Sequence, residues 1–129
     1  MTMAPARLAF IKLNVDDMAP ALAFWREALG FEIAATFDEP DFLEHMLALP
    51  GEEQGLSLML VQSKTPRNVA VGPGHGPLGL VCADIEASFA RAVKAGARVL
   101  REPFSAGGAI VAMLASPQGH EIEFVKLLG

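Results

Sequence analysis

The chain opens with a strand-like alternation of apolar and polar residues and continues with a helical spacing. Residues 8–15 alternate with a period of two, which predicts a strand with one apolar face. Residues 18–29 carry apolar side chains at steps of three and four, which predicts an amphipathic helix. Asp16 or Asp17 is placed to cap its start, and Gly30 to end it. Three more strands are predicted at 31–37, 45–49 and 56–61.

The same order of elements recurs after residues 63–76, a stretch with two prolines and three glycines that predicts a loop. It contains a strand at 78–82, a helix between Asp84 and Gly96, and strands at 98–100, 109–115 and 120–125. The Asp-to-Gly spacing matches that of the first half, which favours an internal repeat over two helices of similar length by coincidence. We interpret residues 1–129 as one domain, with modules at about 8–62 and 77–127 joined by the linker 63–76.

Composition narrows the function classes. The chain has 129 residues, 52% of them hydrophobic, and a formal net charge of −5. The excess of acidic over basic residues argues against binding to nucleic acid or to an anionic membrane surface. No apolar run is long enough to span a bilayer. Cys82 is the single cysteine, so an intrachain disulfide is excluded, and the first residues lack the pattern of a secretory signal. We therefore expect a cytoplasmic protein.

Short motifs in both halves occur in a recognisable order. The first helix carries the aromatic pair Phe24-Trp25 and ends in Leu29-Gly30-Phe31. The second half has Ala95-Gly96-Ala97 and Glu102-Pro103, and the chain closes with SPQGHEIEFV. Together these motifs resemble the vicinal oxygen chelate superfamily, which includes glyoxalase I, bleomycin resistance proteins and extradiol dioxygenases. The resemblance implies an α+β fold of two βαβββ modules whose curved mixed sheets enclose a cavity.

Metal enzymes of that superfamily place ligands on four strands, and the resemblance puts those positions at Phe10, near Met59, at Pro77 and at Glu123. Glu123 alone matches a metal ligand, because phenylalanine, methionine and proline do not replace imidazole or carboxylate donors. We therefore expect no metal and no other cofactor, which argues against glyoxalase I chemistry and iron-dependent ring cleavage. Metal binding through His75, His45 or Glu123 stays open as an alternative.

The sheet face turned away from the helices is expected to hold the site. Its ligand-binding candidates are Phe10, Lys12, Asn14, Ser57, Met59 and Glu121. Apolar side chains with a few polar groups are typical of a small-molecule site. Glu123 and His45 are the catalytic candidates, as general acid or base, with Lys12 as a possible partner. Each of these residues also has a structural interpretation. Lys12 is then exposed at a sheet edge, Glu123 pairs with Lys12, and His45 lies on the surface or packs against its neighbours.

Three functions fit these residues. The first is a metal-independent protein of the bleomycin-resistance type that binds or sequesters a small, partly apolar compound; the net charge mildly favours a cationic ligand. The second is a glyoxalase-like lyase, isomerase or epimerase that uses Glu123 as acid/base or as a residual metal ligand. The third is an interaction domain with a filled pocket. We expect the first, as a homodimer that is domain-swapped or side by side; whether it is catalytic, and its ligand, are left open.

Overall fold

The computed structural model describes residues 4–129. Its elements are β1 (Phe10–Asn14), α1 (Met18–Leu29), β2 (Glu32–Asp38), β3 (Phe42–Ala48), β4 (Ser57–Ser63), β5 (Leu78–Val81), α2 (Ile85–Lys94), β6 (Arg98–Ala106), β7 (Ala109–Ala115) and β8 (Glu121–Leu127). The predicted α+β class is confirmed. Neither helix in this part of the chain is long and apolar enough to cross a membrane.

The eight strands form two four-stranded sheets with matching topology. The first sheet has the order β1-β4-β3-β2 and the second the order β5-β8-β7-β6. In each sheet the first two strands of this order run parallel and the remaining neighbours run antiparallel. A parallel pair needs a crossover connection, and α1 and α2 lie within the connections that lead to β4 and β8. The two halves thus repeat the same strand, helix and three strands.

The helix boundaries follow from capping residues. The Asp17 side chain accepts the backbone N–H of Ala19, and the Asp84 side chain accepts that of Ala87, as the sequence predicts. Gly30 ends α1 with φ of 80°, a left-handed conformation that glycine adopts without steric cost. These caps fix where each helix crosses its sheet.

One hydrophobic core joins the two halves. Trp25 lies at its centre and meets Phe24 and Phe31 edge-on, with ring centroids 5.4 Å and 6.1 Å apart. Helices α1 and α2 pack against each other, and the core cluster includes Leu60 from the first sheet and Phe124 from the second. The helix-facing sides of both sheets are therefore covered by a single continuous core.

Two strands differ from the sequence prediction. The chain leaves the sheet at Pro40 and Asp41, as those residues predict, but β3 begins at Phe42 and not at the predicted residue 45. β6 continues through Pro103 to Ala106, beyond the strand end predicted at residue 100. Proline is tolerated there because β6 is an edge strand whose pairing with β7 shifts register on either side of Arg101. The longer β3 matters for function because it brings Glu44 into the sheet.

Candidate functional site

The candidate site lies on the sheet faces opposite the helices, which we call the open face. On the first sheet, Lys12 pairs in register with Met59, and Met59 with Met46. On the second, Glu123 lies between Gly79 and Met113. The residues predicted for ligand binding occupy this face, five on the first sheet and one on the second: Phe10, Lys12, Asn14, Ser57, Met59 and Glu121.

An ion pair between Lys12 and Glu44 dominates the open face of the first sheet. The Lys12 side chain reaches across β4, and its Nζ donates to Oε2 of Glu44 at 3.2 Å. The Glu44 side chain is 4% exposed and that of Lys12 48%. The ammonium also lies 5.6 Å from the ring centroid of Phe10, within cation–π range. A carboxylate buried this far is costly without a partner charge, so Lys12 is its counter-ion.

Glu44 is the functional candidate that sequence analysis missed. Residue 44 lay outside the predicted third strand, so no face was assigned to it. The signal was present, because Glu44 alternates with Leu43 and His45 once the strand is extended to Phe42. The proposed alternative of a pair between Lys12 and Glu123 is not found within residues 4–129, since Lys12 pairs with Glu44.

Glu123 provides a second carboxylate, on the open face of the second sheet. Its side chain is half-buried, and no lysine, arginine or histidine in the described part of the chain lies within ion-pair distance. Arg101 pairs in register with the neighbouring Met113, but its guanidinium stacks on Phe104 at 3.5 Å. Glu123 therefore offers an acceptor for a donor or a positive charge from outside the chain.

His45 does not lie beside Glu123 in the structure. It pairs in register with Leu60 of β4 and Thr36 of β2, which places it on the helix-facing side of the first sheet. Its Nδ1 shares a hydrogen bond of 2.9 Å with Oγ1 of Thr36. The structure therefore places the two catalytic candidates on different sheets, His45 on a helix-facing side and Glu123 on the open face.

A histidine pair lies near the start of β8. His120 is buried, and the Ser116 hydroxyl accepts its backbone N–H at 3.0 Å. Burial, and then the nearby charge of His75, lower the pKa of His120, while a hydrogen bond with the Asn14 backbone acts in the opposite direction. His75 and His120 border a cleft of about 320 Å³ together with Lys12.

The lowered pKa of His120 predicts a pH-dependent stability. Below about pH 6.5, the usual histidine pKa, the unfolded chain takes up a proton at this residue that the native protein does not bind. The free energy of unfolding therefore falls as pH decreases from there toward the native pKa of His120. We expect His120→Gln to flatten this part of the profile in urea titrations across the range. A slope unchanged by the substitution would contradict the assignment.

Residues 4–129 do not bring together the donor side chains that a metal ion needs. Within residues 4–129, no three His, Cys, Asp or Glu side chains lie close enough together to hold a metal ion. The positions compared with the metal enzymes carry Phe10, Met59 and Pro77 beside Glu123. The side chains present do not fit a metal site of that kind.

Comparison with known families identifies the fold group. The family model described as Glyoxalase/Bleomycin resistance protein/Dioxygenase superfamily matches residues 7–124. The chain belongs to this superfamily. The resemblance drawn from the helix motifs and the terminal SPQGHEIEFV is thereby confirmed. This protein has the same two-sheet arrangement as the solved structures that it resembles.

The individual relatives of this superfamily member are described with different functions. A lactoylglutathione lyase from Haemophilus influenzae is 27% identical over 119 residues, covering 88% of this chain and 87% of that protein. Glyoxalase I from Zea mays has a TM-score of 0.85 at 18% identity, and the alignment covers 95% of this chain but 45% of the maize chain. TnmS3, an antibiotic binding protein from Streptomyces sp. CB03234, has a TM-score of 0.75 at 25% identity, covering 98% of this chain and 99% of that one.

Proposed function

We propose that this protein binds a small, partly apolar compound on its open face without a metal ion or other cofactor. The observation that carries the proposal is an open face that combines the Lys12–Glu44 ion pair, whose carboxylate is buried, with the carboxylate of Glu123, which has no basic partner within residues 4–129, beside exposed apolar side chains such as Phe10. These polar groups, with Asn14, Ser57 and Glu121 on the same face, can orient a ligand, while residues 4–129 hold no group of three His, Cys, Asp or Glu side chains that could bind a metal ion.

The chemistry of the open face defines the ligand class. Phe10 and Val81 are large apolar side chains left exposed there, and a ligand that covers them gains hydrophobic stabilisation. Because the Lys12 charge is matched by Glu44, the carboxylates of Glu123 and of Glu121 on the same face favour a positive charge, in line with the net charge of −5. An aromatic cation satisfies both features.

The comparisons support binding as a function of this scaffold. TnmS3 has 25% identity to this chain and is described as an antibiotic binding protein. A protein of that kind needs a surface that retains its ligand, and it needs no acid–base pair. The separation of His45 from Glu123 is consistent with this requirement.

The test is a titration with berberine, a flat aromatic cation whose fluorescence rises in apolar surroundings. We expect saturable binding of one dye per chain, weakened about tenfold by Glu123→Gln because a charge-assisted contact is lost. Glu86→Gln is the matched control, since it removes the same charge from the exposed side of α2. Absence of saturable binding, or equal effects of the two substitutions, would contradict the proposal.

A lyase activity is the second candidate, favoured by the 27% identity to the lactoylglutathione lyase of Haemophilus influenzae. In this reading Glu123 is the general acid or base, or a residual metal ligand. Lactoylglutathione lyase assays with and without added Ni²⁺ or Zn²⁺, combined with equilibrium dialysis of both ions, separate the candidates. Turnover that disappears in Glu123→Gln would establish the enzyme, and stoichiometric metal binding would overturn the metal-independent proposal.

We also propose that the protein acts in the cytoplasm as a homodimer with no nucleic-acid or membrane partner. Exposed Leu8 and Leu127 and the unpaired outer edges of both sheets are surfaces that a second copy can cover. Multi-angle light scattering across a concentration series tests the dimer, and a monomer at the highest concentration would exclude it.

A further inference from the structure

Charged residues are segregated along the chain. Residues 27–63 contain eight Asp or Glu and no Lys or Arg, whereas residues 87–101 contain four Lys or Arg and no Asp or Glu. Although the chain as a whole carries a net charge of −5, a distribution this uneven divides its surface into regions of opposite sign.

The two stretches include the outer strands of the two sheets. β2 ends the order of the first sheet, and β6 ends that of the second. The exposed acids on β2 and in the turn after it are Glu32, Asp38, Glu39 and Asp41. The exposed bases on β6 and at the end of α2 are Lys94, Arg98 and Arg101. We call these two sets the acidic edge and the basic edge. In the part of the chain that the structure describes, Asp38 alone among them forms an ion pair, with Lys64.

Both edges also expose large apolar side chains. Ile33 and Phe37 on β2, and Val99 and Leu100 on β6, are 39–44% exposed. Apolar side chains rimmed by polar groups are typical of surfaces through which proteins bind each other. A partner that covers them gains hydrophobic stabilisation, and the surrounding charges select a partner of the opposite sign.

The acidic and basic edges do not meet within one chain. β1 and β5, the opposite ends of the two sheets, border the same cleft, and β2 and β6 each lie three strands further out. No strand pairing joins β2 to β6 within residues 4–129. A second copy of the chain carries both edges and therefore supplies the opposite charge to each of them.

We propose that the acidic edge of one copy packs against the basic edge of a second copy, and that a twofold axis forms this contact twice. The contact is the interface of the proposed homodimer, on which this inference rests. Twofold symmetry covers both edges of both copies and closes the assembly, whereas a head-to-tail contact continues into a filament. Side chains make the contact rather than a full added strand, because Pro103 and two register shifts interrupt β6.

The test exchanges the charges of the two edges. The first variant reverses the acidic edge with Glu32→Lys, Glu39→Lys and Asp41→Lys. The second variant reverses the basic edge with Lys94→Glu, Arg98→Glu and Arg101→Glu. Each variant alone should dissociate at least about a hundredfold more readily than the wild type in sedimentation equilibrium, because both contacts then join like charges. Mixed one to one, the two variants should form a heterodimer, because each contact again joins opposite charges.

A control variant separates this effect from a general change in charge. Glu52→Lys with Glu53→Lys adds positive charge in the turn between β3 and β4, where Glu52 borders the cleft between β1 and β5 and not the acidic edge. The control should dimerise as the wild type does. The dissociation constant of the wild type should also rise with added NaCl, a measurement that needs no substitution.

The outcomes distinguish the interface from the homodimer itself. A dimer that neither charge reversal nor salt weakens would overturn the interface and leave the homodimer in place. Reversed variants that stay monomeric when mixed would also overturn it, because the edges then do not recognise each other. A monomeric wild type would reject the homodimer and the interface together. Berberine binding should be as in the wild type in both variants, since none of the substituted residues lies beside Glu123 in the second sheet.

Discussion

Phe124→Ala should lower the free energy of unfolding by about 3–5 kcal/mol, a large part of the roughly 5–15 kcal/mol by which native domains are stable. Phe124 lies on β8 and is 1% exposed, in the core shared by both halves. Truncating it removes apolar burial and leaves a cavity beside Leu80, its neighbour in register on β5. Urea unfolding followed by circular dichroism measures the loss. Leu127→Ala on the same strand is the control, and since Leu127 is exposed the change there should stay within about 0.5 kcal/mol.

The equivalent residue of the first half extends this experiment. Leu60 of β4 pairs in register with Leu13 of β1. This pairing corresponds to that of Phe124 with Leu80 in the second half. Leu60 is fully buried. Leu60→Ala should cost about 2–5 kcal/mol. Because the two halves share one core, both variants should unfold in a single transition that tryptophan emission and circular dichroism report together. Two separate transitions would show independent modules and would contradict the proposal that residues 1–129 fold as one domain.

Lys12→Met should cost about 1–3 kcal/mol at neutral pH. The substitution keeps the length of the side chain but leaves the buried carboxylate of Glu44 without its counter-ion. The expected loss is below that for a fully buried pair because Lys12 itself is about half exposed and partly screened by water. Urea unfolding again provides the measurement.

The chain contains a matched control for this ion pair. Lys64 is exposed to a similar extent as Lys12, but it pairs with Asp38, which is itself exposed. Lys64→Met should therefore cost no more than about 1 kcal/mol. Adding Glu44→Gln to Lys12→Met should restore most of the lost stability, because a neutral amide needs no counter-ion. Equal losses at Lys12 and Lys64, or no recovery in the double variant, would show that the burial of Glu44 has no energetic weight.

The sequence carried the information for the fold because the fold depends on local signals. The positions of Asp17, Gly30 and Asp84 were sufficient to locate both helices, and the two matching halves predicted two matching sheets. Strand ends were less certain. Pro40 and Asp41 mark the break between β2 and β3, but the sequence did not show that β3 starts directly after them, and β6 runs through Pro103 although proline usually interrupts a strand. Pairing with neighbouring strands decided the outcome in β3 and β6, and a single sequence does not show that pairing.

The site was only partly predictable for a related reason. Period-two alternation placed Lys12, Met59 and Glu123 on the open face, because that face depends on local geometry alone. The partner of Lys12 depends on which strand lies two positions away in the sheet, and that strand is β3 with Glu44.

The shared core has a consequence for synthesis of the chain. The first half is complete when residue 63 has been added, yet the surface of α1 that contacts α2 then has no partner. At ribosomal rates the residues from 64 to the end of α2 at Lys94 need roughly 2–6 s. During that interval the nascent first half presents an uncovered apolar helix face, which a chaperone or a neighbouring nascent chain can contact before α2 emerges to cover it.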